Sequence, residues 1–419
     1  MPVASPATDL RARLTALPGM EALLRALADL AVPSYLVGGA VRDMLRGDPS
    51  VDLDLAVEGD APQAAAALAE RLGGSAVAHD RFGTATVRSD PMVVDLAATR
   101  REAYSRPGAL PTVEPAPLSE DLARRDFTVN AMAIGLSGED LGRLHDPGGG
   151  QDDLDAGLIR ILHPGSFLDD PTRLLRALRY ESRLGFALER ETERLARAAA
   201  AAGALSTVSG VRVRVELMDL LGEHEAPRSV ARLAELGLDR ALHPGLAADA
   251  ELVAAAKLWA LKAGASPALT ALAALCAGRP ELSASAREEL ERWVEGLGLI
   301  AADRDAVVRA AGRGRALAKE LRSHLRPSEL HELLEGEPHE ALALALAFGA
   351  PADAVLRYTG GLCSARLEIS GDDLLAAGVP ESPAVGVALR ETLRRKLDGE
   401  LSGREEELRT ALALAREAM

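Results

Sequence analysis

The chain has 419 residues, 48% of them hydrophobic and 26% charged, and 63 acidic side chains against 48 basic ones give a net charge of −15. That length exceeds one ordinary core, so two or more domains are expected, and the acidic balance excludes indiscriminate adhesion to nucleic acid while leaving room for a local basic surface. No basic stretch followed by an apolar run opens the sequence, and no segment offers about 18 uncharged apolar residues in a row, so neither secretion nor membrane insertion is expected. Cys276 and Cys363 have no metal-ligand spacing around them and read as free thiols of a reducing cytoplasm.

In chain order, residues 35–37, 51–57, 75–79, 84–88 and 92–96 read as strands, with "SDP" at 89–91 as a hairpin turn, and helical patterns lie between them. Pro/Gly clusters at 106–117 and 146–153 interrupt this pattern. From Asp169 the text becomes helical, and from Ala247 it is strongly rich in Ala and Leu. The expected fold is an α/β head, a small mixed sheet with helices, followed by an all-α neck, body and tail, divided as 1–157, 158–246 and 247–419. No fixed-period repeat is visible.

Asp52 and Asp54 fall on a predicted strand, a setting that disfavours Asp. Residues two apart on a strand point to one face, about 6–7 Å apart at Cα, and two such carboxylates repel unless a cation joins them. Mg²⁺ takes one or two protein carboxylates and completes its shell with water and phosphate oxygens, which points to phosphoryl or nucleotidyl transfer. A lone Asp-x-Asp is more often a solvated edge; here the context is more specific. Gly38 and Gly39 follow an apolar strand and precede a helix, which lets backbone N–H groups approach a polyphosphate at the helix N-terminus. Arg42, one turn further on, can reach the same phosphates, whereas Asp43 reads as a structural ion-pair or capping partner. The pattern is neither a P-loop nor a dinucleotide fingerprint.

Asp126 and Asn130 have the i, i+4 spacing of one helix face, behind Arg124 and Arg125. In "DDPTRLLRALR", Asp170 and Arg173 are three apart and are expected on one helix face. Together they offer a carboxylate acceptor beside a guanidinium fork, a match for the base edge of C or A and not of U or G; a surface salt bridge is the plainer alternative. Arg173, Arg176, Arg179 and Arg183 continue down that side, either as a solvated face or as a track for phosphates. "GVRVRVELMDLL" alternates like a strand, yet its second half favours a helix projecting Arg212, Arg214 and Glu216. Ser370 with Asp373 reads as a capped helix start.

The stretches "LVGGAVRDMLRGDPSVDLDLAV", "EDLARRDFTVNAMAIGL", "HDPGGGQDDL", "FLDDPTRLLRALRYESRLGFAL" and "SGVRVRVELMDLL" occur in the order seen in class II tRNA nucleotidyltransferases, and the chain resembles that bacterial CCA-adding enzyme and poly(A) polymerase family over nearly its whole length. The resemblance implies a polymerase-β-like head. In it Asp52 and Asp54 hold Mg²⁺ while the 3′-hydroxyl of tRNA attacks the α-phosphate of CTP or ATP, and Asp95 stands where a third carboxylate is often placed. It implies that Arg125, Asp126 and Asn130 handle ribose and phosphates, and that Asp170 and Arg173 replace a nucleic-acid template. Arg176, Arg179, Arg212 and Arg214 would then support the nucleotide or the RNA. Asp146 resembles a third motif that braces head against neck, and 99–118 matches a flexible loop that helps switch from C to A addition. Two departures stand out: Asp169 where the family reads Glu, and Val211 where Glu usually precedes the Arg. The alternatives are a poly(A) polymerase and a catalytically silent RNA-binding protein of the same fold. The dipeptides His79-Asp80 and His145-Asp146 both fall in the head, so no appended His-Asp phosphohydrolase is expected.

Overall fold

The computed structural model describes residues 6–418 apart from 31, 49–51, 80–82, 91, 280, 322 and 323. The chain divides into two compact units, Met1–Glu216 with Leu236–Ala241, and Leu217–Glu235 with Leu242–Met419.

The first unit carries the strands β1 (Ser34–Val37), β2 (Leu53–Val57), β3 (Ser75–His79), β4 (Thr84–Ser89), β5 (Met92–Ala98), β6 (Arg100–Ala103), β7 (Thr112–Pro115), β8 (Ala133–Gly135), β9 (Leu144–His145), β10 (Leu158–Ile159) and β11 (Ala187–Leu188), the last two paired in parallel, so the expected all-α neck holds a short two-stranded sheet. Seven of them form one mixed sheet in the order β3-β4-β5-β2-β1-β8-β9. β2 and β5 are parallel neighbours and the remaining pairs are antiparallel. The five expected strands are present; of the expected residues, Val51 and the turn residue Pro91 lie outside the described residues, as does Asp80. β8 and β9, of three and two residues, are too short to show a period. The Pro/Gly-rich segment 99–118, expected as a loop, contains the separate antiparallel hairpin β6–β7.

β1 is buried along its whole length, in keeping with its central place. Helix Ala61–Leu72 packs on β3 and β4 through Ala64, Ala65 and Leu68. It starts where the Asp60 carboxylate accepts the Gln63 N–H at 2.9 Å. Helix Gly150–Ala156 lies against the turn Thr128–Asn130 so closely that a Cβ at Gly150 would stand 2.2 Å from the Thr128 carbonyl oxygen. Asp146 caps that helix, accepting the N–H groups of Gly150 (2.6 Å) and Gln151 (2.9 Å). Both of its oxygens are engaged by its own loop, so the expected bracing of head against neck is replaced by a local cap.

The second unit is helical. Helices Ala250–Ala263, Pro267–Ala277, Ala301–Glu320 and His339–Ala347 pack on one another, and Pro267–Ala277 buries every residue from Leu269 to Ala277. Alanine permits this close approach, and its helix propensity sustains the elements. Further on, Pro383–Leu397 and Gly403–Glu417 pair around Leu374, Ala388, Ala411 and Ala415. There Glu407 is fully buried against the Lys396 ammonium at 2.6 Å. The expected start at Ser370 is a capping box with Asp373. Among the described residues no helix is long and apolar enough to cross a membrane.

Because the Thr128 backbone leaves no room at Gly150, Gly150→Ala should cost about 1–3 kcal/mol of stability. A thermal or urea melt against the wild type measures it, and an unchanged midpoint would contradict the contact.

Candidate active site

The strand alternation that buries Leu53 and Leu55 turns Asp52 and Asp54 outward on the same face. Parallel pairing sets Asp54 directly beside Asp95. Asp95 accepts a 2.6 Å hydrogen bond from the Thr86 hydroxyl on β4, which lies 3.2 Å from His79 Nε2. Burial pushes the Asp54 carboxyl up to about 6, Asp95 and Asp52 add to the rise, and Arg125 opposes it. Asp54 is reachable from solvent yet ringed by protein and by two like charges.

Gly38 and Gly39 follow β1, and helix Gly39–Arg46 begins there. Gly38 has φ +66°, and a Cβ on it would meet the Arg125 guanidinium at 2.8 Å, so a side chain is excluded on both counts. Arg42, expected to reach phosphate, is buried instead. It donates to both oxygens of Asp43 (2.8 and 2.9 Å) and to Asn130 Oδ1 (2.6 Å), so it orients Asn130 from behind. Asp43 is the ion-pair partner expected of it.

Asp126 and Asn130 touch as expected, Asn130 Nδ2 donating to Asp126 Oδ1 at 3.1 Å. They do so without sharing a helix: Leu118–Ala123 has ended, and Thr128–Asn130 is a single 3₁₀ turn. Asp126 also accepts the Phe127 N–H and two N–H groups of Arg176, at 2.9 and 2.7 Å. Burial alone would raise its pKa, but Arg176, Asn130 and the Phe127 N–H hold it below the ordinary range. Buried Asp121 behaves in the same way. Burial pushes it up, and Arg125 and Arg124, hydrogen-bonded to it at 3.0 and 2.6 Å, bring it below the usual value.

Asp170 and Arg173 do not share a helix face. Helix Ser166–Asp169 stops, Asp170 is extended (φ −133°), and the next helix is Arg173–Leu184. The side chains are anchored separately. Asp170 accepts from the Thr172 hydroxyl (2.7 Å) and pairs with Arg212 (2.8 Å). Arg173 donates to Ser166 Oγ (2.6 Å) and to the Arg124 carbonyl (2.7 Å). The surface salt bridge between them is thereby ruled out. Both line one cavity of ≈ 400 Å³ together with Gly38, Gly39, Asp54, Arg125, Asp126 and Asn130.

Arg42, Arg179, Arg212 and Arg214 lie outside that lining. Arg176 lines it, but its guanidinium is committed to Asp126 and, at 3.0 Å, to Glu216, which also takes Arg179 at 3.2 Å. Arg42, Arg176 and Arg179 thus act as internal struts, Arg176 and Arg179 where a phosphate track was expected, and Arg212 holds Asp170. Helix Gly210–Gly222 is helical as expected, and Val211 is exposed on it. Sequence reading missed Asp121, Glu102, Tyr104 and Tyr180. Asp121 was findable, three and four residues before Arg124 and Arg125. Tyr180, whose ring lies 5.5 Å from the guanidinium carbons of Arg42, Arg176 and Arg179, is an aromatic among helical arginines. Glu102 and Tyr104, hydrogen-bonded at 2.9 Å, enter from the hairpin and carry no local signal. Burial and Glu102 both raise the Tyr104 phenol, so it stays protonated.

Residues 34–160 match the poly A polymerase head domain, and 185–249 match a probable RNA and SrmB-binding site of polymerase A. An A-adding tRNA nucleotidyltransferase of Geobacter sulfurreducens is 35% identical over 417 residues, which cover 92% of this chain; the chain spans about half of that relative's length (46%). A CC-adding tRNA nucleotidyltransferase of Deinococcus radiodurans is 34% identical over 90% of this chain and 88% of its own. The chain belongs to the tRNA nucleotidyltransferase family. A solved Thermotoga maritima CCA-adding enzyme complexed with tRNA superimposes with a TM-score of 0.75 at 28% identity, covering 99% of each chain.

Nucleotidyltransferases of this family use a divalent metal. Among the described residues no three His, Cys, Asp or Glu side chains close into a complete cage. The donors present fit a partial one: Asp52 and Asp54 carry hard oxygen donors, and burial with the Asp95 and Asp52 charges raises Asp54, a rise that a cation would offset.

The depressed Asp126 makes a stability prediction with a definite sign. Its contribution is fully present above the unfolded carboxylate pKa of about 4 and is lost as pH falls through the lower folded value. Asp126→Asn should therefore lose roughly 1–3 kcal/mol at neutral pH. Its acid limb should also be flatter than the wild type's, as read by urea melts from pH 7 down to acid. Parallel curves would contradict the assignment.

Proposed function

We propose that this chain adds nucleotides to the 3′ end of tRNA without a nucleic-acid template, and that its step is the terminal A. One observation carries the reading. A single cavity joins the carboxylate of Asp54 to the separately anchored Asp170 and Arg173, so a nucleotide can have its phosphates at one end and its base edge at the other. The family and the tRNA-bound relative support tRNA as acceptor, and the Geobacter relative's name supports A addition.

Asp52 and Asp54 would hold Mg²⁺, which supplies charge neutralisation at the triphosphate and lowers the pKa of a coordinated hydroxyl. Arg125, steadied by Asp121, faces the phosphates beside the open backbone at Gly38 and Gly39. Asn130, held by Arg42 and Asp126, faces the ribose. The free oxygen of Asp170 accepts the exocyclic amine of the base, and the remaining N–H groups of Arg173 donate to its ring nitrogen. The tRNA 3′-oxygen bonds to the α-phosphorus, its proton passes to water, and pyrophosphate leaves with the broken P–O bond. Free thiols at Cys276 and Cys363 suit a cytoplasmic setting.

Purified protein is to be incubated with tRNAs ending before, within and after the CC step, with each labelled triphosphate in turn. Incorporation of ATP alone, onto CC-ended tRNA, is expected, and Asp54→Ala should abolish it while tRNA stays bound. Incorporation of CTP would overturn the A-adding assignment, long A tails would indicate a poly(A) polymerase, and none would leave an RNA-binding protein.

Base choice gives a separate test. Losing the Asp170 acceptor should relax discrimination by about 1–3 kcal/mol, by analogy with base readout in a groove. In Asp170→Ala, kcat/KM for UTP and GTP should gain on ATP; an unchanged ratio would eliminate Asp170 as a base reader.

A further inference from the structure

The second unit contains a cavity of ≈ 290 Å³ at the small end of ligand sites, well away in sequence from every residue assigned above. Three helices bound it: Pro267–Ala277, Ala284–Gly296 and Ala301–Glu320. Its wall is aliphatic, with Leu290, Val294, Val307 and Val308 among the lining side chains. Arg279, Arg287, Arg315 and Lys319 also line it, against the single acid Glu291.

Those cations differ from their neighbours. In the same unit Arg309, Arg313, Arg326, Arg394, Lys396 and Arg404 each meet a carboxylate. Among the described residues none of the four around the cavity does: Arg279 donates to the Leu246 carbonyl at 2.8 Å, and Arg315 lies 4.1 Å from the Phe348 ring centroid. In a chain of net charge −15, four cations left without carboxylates around an aliphatic hollow make a local positive field over an apolar floor.

Gly312 is part of the lining. It sits inside a 20-residue helix, where glycine is less stable than alanine, and a Cβ on it would meet nothing within 4 Å. Gly314 on the same helix has a packing reason, since its Cβ would touch Leu344 at 3.0 Å. No such reason exists at Gly312.

We propose that this cavity binds a small amphipathic anion, an aliphatic chain ending in a carboxylate or a phosphate. The chemistry of the lining selects that class. The lining offers no aromatic face to stack a nucleobase on, whereas its aliphatic wall buries a hydrocarbon chain well. Its charged donors match an anionic head, and a neutral or cationic head would leave them unneutralised.

The test uses the full-length protein with decanoate and with decyl phosphate below their micelle concentrations, with decanol and inorganic phosphate as controls. Calorimetry should show one-to-one binding of at least one amphipathic anion, and its preferred head identifies the source. Decanol and phosphate should each bind at least about tenfold more weakly. Gly312→Leu, which adds a branched side chain at the cavity lining where a Cβ meets nothing within 4 Å, should abolish binding while circular dichroism and melting temperature hold. Arg287→Glu with Lys319→Glu should weaken it by about tenfold or more without closing the hollow. No binding up to about 1 mM, equal binding of decanol, or undiminished binding in Gly312→Leu would overturn the proposal. A loss of tRNA affinity in Gly312→Leu without any anion binding would overturn it too, and would make the cavity a contact for RNA.

Discussion

Six guanidinium groups, those of Arg42, Arg124, Arg125, Arg173, Arg176 and Arg179, crowd into or behind one cavity, and the first unit can fold only if their repulsion is compensated inside the protein. Buried or half-buried carboxylates do this: Asp43 for Arg42, Asp121 for Arg124 and Arg125, Asp126 for Arg176, Glu216 for Arg176 and Arg179. Arg173 is the exception, held by neutral acceptors alone, Ser166 and the Arg124 carbonyl. A guanidinium paired to no acid keeps more of its field for a ligand.

The same compensation explains why the cavity is preorganised. A long arginine is mobile in water, and ordering it at the moment of binding costs free energy. Here the ordering accompanies folding, since each fork is clamped by hydrogen bonds of 2.6 to 3.3 Å to a fixed partner. The acidic end is arranged in the opposite sense. Asp54 and Asp95 are placed side by side by backbone pairing, and no basic side chain forms an ion pair with either among the described residues. Such a pair presents unneutralised negative charge to a cation, across the same cavity from arginines whose own charges are largely met.

Much of this was legible because covalent spacing maps directly onto local geometry. The alternation of Asp52 and Asp54, the helix start after Gly38 and Gly39 and the cap at Ser370 need no tertiary information. The reading of Asp170 with Arg173 brought the right residues together for the wrong reason. Counting three residues along a helix ignored Pro171, and a residue that precedes proline is driven out of the helical region, which is where Asp170 is found. Asp126 and Asn130 likewise met across a 3₁₀ turn. What could not be read were the clamps. Asp126 and Arg176 are 50 residues apart, and Asp170 and Arg212 are 42 apart, so only the folded chain reveals that arginines at helix spacing face inward as struts.

A protein that selects a base without a template must hold its base reader at a constant distance from its metal end, because the triphosphate connecting them is itself flexible. On the proposed reading the metal end would ride on β2 and β5, inside the sheet, and the base end would sit at the start of helix Arg173–Leu184. Two links bridge them: the Arg173 donation to the Arg124 carbonyl, and the Arg176 clamp on Asp126. Both reach the segment between Ala123 and Thr128, which Asp121 ties in turn through Arg124 and Arg125. The separation of the two ends therefore depends on the registration of one short segment, in which a neutral backbone carbonyl and a buried carboxylate each receive an arginine from helix Arg173–Leu184. An error there would shift Arg125 and Asp126, which line the cavity, together with the carbonyl that holds Arg173.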